Sequence, residues 1–229
     1  MTSSKPPRFQ EWLGVYFEPY INVDSPWDLF PPEVLDHPCF TGTADEIVEL
    51  FTYTMIMSGT ELARFNDRQL GVGLDNLLNN HFSPVAHEVR DGAVTIEARI
   101  SALQSIKVLY RDCLTPRAAP VLGYLNEKSS CKAINGICYM MWDVTPLSYW
   151  PEPERGDIMY PVIIDVMESA LYSSNCAVVE SGLHGLGHTV YKCETAAVAA
   201  IDRFLEARSG QVRNELITYA RAARTGNIQ

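Results

Sequence analysis

Positive charge is the first thing this 229-residue chain lacks: 18 lysines and arginines face 28 acidic residues, for a net charge of −10. Such a balance disfavours nucleic-acid backbones and anionic membrane surfaces as partners. Long apolar runs are missing too, so no segment reads as a membrane span. The first residues, Met-Thr-Ser-Ser-Lys-Pro-Pro-Arg, have no apolar core behind them, which argues against a signal peptide and for a cytoplasmic protein. The six cysteines contain no C-x-x-C pair and read as reduced, buried small side chains. Sustained period-2 alternation is absent, so strands are not expected. Neither G-x-x-x-x-G-K-[ST], G-x-S-x-G nor H-E-x-x-H occurs, which removes the P-loop, the nucleophile elbow and the common zinc-protease helix.

What is present is a globular composition, 47% hydrophobic and 20% charged with mean hydropathy near zero, enough for a sizeable core. The expected fold class is all-α: antiparallel helix pairs stacked as a short HEAT-like solenoid, or a compact helical bundle. Thr43-Ala-Asp-Glu46 has the form of a capping box ahead of Ile47, Leu50, Phe51 and Met55. Asn66 to Gln69 forms a second one. A long helix is expected from about Val94 to Leu114, with Pro116 beyond its end. Ser130 can cap a helix running through Trp142, and Pro161 suits the first turn of a helix ending near Tyr172. Further helices are expected at 194–208 and 211–224.

Two organisational units are expected. Residues 1–42 form an arm carrying eight aromatic residues, and residues 43–229 form the helical domain. Proline breaks the arm into short pieces, with a helix near 8–17 and a turn near 32–36. The first 60 residues hold nine acids against Lys5 and Arg8. One reading packs the arm's rings onto the body with its carboxylates in water. The other makes Glu11, Trp12, Tyr16, Asp24, Trp27 and Asp28 an acidic-aromatic face for a basic protein.

The most unusual stretch is Cys176-Ala-Val-Val-Glu180-Ser-Gly-Leu-His184-Gly-Leu-Gly-His188. Cys176, Val179, Leu183, Leu186 and Val190 make one helical stripe, and Ser174 or Asn175 can cap its start. Gly182, Gly185 and Gly187 each cost about 1 kcal/mol relative to alanine in a helix. Close approach of a neighbour is one reason to keep them, and a helix end near Gly187 would account for one. Glu180, His184 and His188 recur at i, i+4, i+8. Such a set can pack at a helix contact, or its two histidines can hold a divalent metal with one of Glu180, His81 or His87 as a further ligand.

Leu183-His-Gly-Leu-Gly-His188, Ile201-Asp-x-Phe-Leu205, the run Leu216-x-x-Tyr-Ala-x-x-Ala-x-x-Gly-x-Ile-Gln229 and Cys138-Tyr-Met-Met-Trp142-Asp143 together resemble a family of bacterial α-helical proteins of similar size. The resemblance covers about the last 100 residues and implies a HEAT-like fold with no established activity. Glycine-bearing helices recurring about 45 residues apart point the same way. To helical metalloproteins of the DinB kind the chain is similar only in its H-x-x-x-H spacing. These readings lead to a cofactor-free, non-enzymatic protein-binding domain, of the immunity-protein type, that neutralises a basic partner. The alternative is a metal-dependent helical enzyme, DinB-like or a hydrolase, using His184 and His188.

Overall fold

Local signals start most of the helices. In the computed structural model, which describes residues 4–18, 39–80, 84–125, 127 and 131–228, the Thr43 hydroxyl accepts from the Glu46 N–H and opens α2 (Ala44–Ile56). The expected box at Asn66 forms in both directions and opens α4 (Asp67–Leu78). Thr95 caps α6 (Ile96–Val108) through the Ala98 N–H, and the Asn175 side chain caps α10 (Cys176–Thr189) through the Ala177 N–H at 3.0 Å. The other elements are α1 (Phe9–Tyr16), α3 (Ser58–Glu61), α5 (Val85–Asp91), α7 (Thr115–Arg117), α8 (Ala133–Val144), α9 (Pro153–Ala170), α11 (Glu194–Arg208) and α12 (Asn214–Ala223). No strand occurs among the described residues, and no helix there is long and apolar enough to cross a membrane.

The helices pack around α10, which touches α8, α9, α11 and α12. Every residue from Ala177 to Gly187 is buried, so this helix is covered on all sides. Its glycines are where neighbours come close. A Cβ on Gly182 would lie 2.6 Å from the Met167 carbonyl of α9, and one on Gly185 would lie 2.6 Å from the Trp142 ring of α8. Gly187 does not end the helix as one expectation had it. The helix continues to Thr189, and the glycine makes room for Ile228. From α8 the packing passes to α4, and α9 leads to α6 and on to α2.

Other expectations need correction. The single helix expected over 94–114 changes register: α6 is followed by a π-helical turn, Leu109–Leu114, and Pro116 falls inside α7 rather than beyond a helix end. Pro161 lies in the interior of α9, which begins at Pro153. Both Pro161 and Asp157 are exposed, so the carbonyl left without a helical partner can be hydrated. Ser130, the expected cap of α8, lies outside the described residues. The helix expected near 8–17 is present as α1. Phe9, Trp12, Leu13 and Tyr16 form its buried stripe, and Phe17 and Phe40 join them in the core. All six cysteines are free, with Cys113 and Cys138 buried.

Candidate metal centre

His184 lies in the middle of α10 with its side chain fully buried, and both of its ring nitrogens are engaged. Nδ1 is 2.5 Å from the Tyr219 hydroxyl of α12. Nε2 is 2.8 Å from an Asp143 carboxylate oxygen of α8 and 3.2 Å from Nε2 of His188. The other Asp143 oxygen contacts His188 Nε2. Among the described residues, Asp143, His184 and His188 are the one His/Cys/Asp/Glu trio with ligand atoms all within 4.8 Å of one another. The His188 side chain is 43% exposed, so the cluster is buried on the His184 side and open to solvent on the other.

Surrounding contacts hold the cluster in place. Tyr139, one turn before Asp143 on α8, packs its ring 4.6 Å from the His184 ring. Tyr124 stacks on Tyr219, also at 4.6 Å. Trp142, next to Asp143, donates from Nε1 to the Tyr110 hydroxyl, which is 2.8 Å from Ser181 Oγ on α10. That chain ties α8 to α10 one turn from the histidines. Burial alone would raise the Asp143 carboxyl, but hydrogen bonds and charge from His184 and His188 outweigh it and hold the group below the ordinary carboxylate range. Burial, with the neighbouring Tyr139 hydroxyl next in effect, pushes the Tyr219 phenol up and keeps it protonated.

The i, i+4 histidine pair therefore converges, while the expected third ligands do not join it. Glu180 turns to the opposite loop, where its two oxygens accept from the N–H groups of Gly123 (2.7 Å) and Tyr124 (3.1 Å). Successive i, i+4 steps drift around a helix by about 40° each, enough to separate Glu180 from His188. His87 sits half-buried on α5 and belongs to no such trio. His81 lies outside the described residues, as do Asp24, Trp27 and Asp28 of the expected docking face.

Of that face, Glu11 is exposed and pairs with Arg8 at 2.7 Å. Trp12 and Tyr16 are not presented to any partner. Trp12 is completely buried against Tyr16 and Phe40, and the Tyr16 hydroxyl accepts from the Phe40 N–H. Their i, i+4 spacing with Phe9 and Leu13 is that of a core stripe, which is the physical reason the docking assignment fails for them. Asp143 and Tyr219 received no site role from sequence reasoning. Both stand in the motifs that carried the family resemblance, as do Tyr139, Trp142, His184 and His188, and the fold gathers all six in one place.

Fold and site together define an all-α protein with a two-histidine, one-carboxylate cluster on its central helix. No protein-family model, curated protein or solved structure matches the chain.

Proposed function

We propose that Asp143, His184 and His188 bind a divalent transition metal, and that the chain is a metal-dependent enzyme that activates water at that ion. The observation that carries this is the spacing of the two Nε2 atoms. A metal about 2.0–2.1 Å from two imidazole nitrogens in tetrahedral arrangement sets those nitrogens about 3.3 Å apart. Here they are 3.2 Å apart, with a carboxylate oxygen 2.8 Å from one of them. With a metal bound, the His184 tautomer protonated on Nδ1 would donate to the Tyr219 oxygen and present the Nε2 lone pair to the ion. Three protein ligands leave coordination positions on the exposed side for water and substrate, the arrangement in which a bound water ionises near neutral pH. Two imidazoles and one carboxylate suit zinc or ferrous iron rather than calcium or magnesium. This replaces the cofactor-free expectation and takes over its metal-dependent alternative, with Asp143 in place of Glu180.

The test is elemental analysis of protein purified without a metal-affinity step, beside a His184→Ala/His188→Ala variant. One equivalent of metal per chain, lost in the variant, is the expected result. A metal-free chain that also fails to take up added zinc or ferrous iron removes the proposal.

The protein-binding, immunity-type role is a second reading, favoured by the net charge of −10, which would steer a basic partner. Its affinity should fall steeply with salt, and a salt-insensitive complex would remove it. The HEAT-like family assignment belongs here as a proposal as well. It is supported by the meeting of its motif residues at the cluster.

A further inference from the structure

One turn below the histidines on α10, a cavity of about 230 Å³ opens between α8, α10 and the loop after α7. Its walls are largely apolar, including Val121, Leu122, Met140 and Ala177, with Tyr139 as an aromatic side and two carboxylates, Glu180 and the Arg213-paired Glu127. Glu180 is 1% exposed and forms no ion pair among the described residues. Arg213, the nearby cation, is spent on Glu127 and Glu215. Burial pushes the Glu180 carboxyl up to about 7 even though two backbone N–H groups favour its charged form. Each carboxylate oxygen accepts one of those N–H bonds and keeps a second lone pair for another donor. A buried carboxylate at the wall of an apolar cavity, with no cation of its own among the described residues, is chemically incomplete.

We infer that this cavity is a binding site for a small apolar primary amine, whose ammonium group pairs with Glu180 and whose body fills the space between Val121, Leu122, Met140 and Tyr139. An ammonium brings charge-assisted donors to the free lone pairs of the carboxylate. The aromatic wall adds attraction for a cation, and the aliphatic walls take the hydrocarbon. Size sets the ligand class. A dry 150 Å³ cavity takes benzene, so this one has room for roughly nine non-hydrogen atoms. Phenyl-bearing or branched alkyl amines fit, and a nucleotide or sugar phosphate does not. The inference stands on the cavity and its carboxylate and does not depend on a metal at the histidine cluster.

The test is calorimetric titration of the full chain, in the presence of EDTA, with benzylamine, benzyl alcohol and phenylacetate. Benzylamine is expected to bind at least tenfold more tightly than the neutral or anionic analogue. Glu180→Gln should bring the amine down to the level of the alcohol, and Val121→Trp, which adds bulk at the cavity wall, should abolish binding of all three. Equal affinity for amine and alcohol, or an amine preference that survives Glu180→Gln, overturns the inference. Should Glu180→Gln fail to fold because it gives up a backbone acceptor, Val121→Trp decides: benzylamine binding that survives it overturns the site. Because EDTA removes any metal, failure of the metal proposal leaves these outcomes readable.

Discussion

Replacing Gly182 by alanine sets two well-measured effects against each other on the central helix. Alanine is favoured over glycine inside a helix by about 1 kcal/mol, so propensity alone would stabilise the protein. The new methyl, however, would sit 2.6 Å from the Met167 carbonyl oxygen, 2.9 Å from Leu171 Cδ2 and 3.0 Å from Ala170 Cβ. The first of these is α9 backbone, which no side-chain rotation can clear, so α9 and α10 must move apart. Overpacking of this kind costs roughly 1–3 kcal/mol, and a backbone obstacle puts this case at the upper end. The net expectation is a loss of about 2 kcal/mol, which at this chain length lowers Tm by roughly 4–8 °C. Urea unfolding with an unchanged m-value measures it. A variant more stable than the parent by the propensity increment would refute the close approach of α9 and α10.

Tyr219→Phe removes the partner of His184 Nδ1 while keeping the ring that stacks on Tyr124. Metal affinity should fall about 10- to 100-fold, the usual effect of losing a hydrogen bond behind a ligating histidine, as read by competition with a chromophoric chelator. Unchanged affinity would deny the hydroxyl its positioning role. Glu180 shapes the pH dependence of stability. Its folded pKa of about 7 lies above the ordinary glutamate value, so the folded state keeps a proton that the unfolded chain has released. Stability should therefore decline as pH rises from about 4.5 to 7, by at most roughly 3 kcal/mol from this group, and level off above that. Glu180→Gln should flatten that limb of the urea midpoint, and an identical slope in the variant would contradict the assignment.

The helices were legible wherever a local rule acts alone. The Asn66–Gln69 box, the Asn175 cap and a helix near 8–17 each follow from neighbouring residues and formed as read, whereas the Thr43–Glu46 box formed only in its Thr43 half, the Glu46 carboxylate turning to Arg8. Pro161 was misplaced because the cost of an interior proline falls on an exposed face, where water can take the place of the lost partner. The π-helical turn at Leu109–Leu114 leaves no signature in apolar spacing that distinguishes it from α-helix. At the site, the His184/His188 pair could be read from one helix, whereas Asp143 lies 41 residues before His184 and reaches it only through α8–α10 packing. The glycines announced that packing without naming the partner. Gly185 makes room for Trp142, whose sequence neighbour is Asp143. Glu180 was given to the wrong neighbour because i, i+4 spacing describes a helix face and says nothing of the loop that covers it.

The central claim is that the three side chains share one ion, and anomalous scattering measures that most directly. Crystals of the zinc-loaded chain, with data collected on both sides of the zinc absorption edge, should show one difference peak. It should lie about 2.0–2.2 Å from His184 Nε2, His188 Nε2 and an Asp143 oxygen, with Tyr219 still bonded to His184 Nδ1. A peak elsewhere, or none while the imidazoles stay hydrogen-bonded to Asp143, would return the cluster to helix packing.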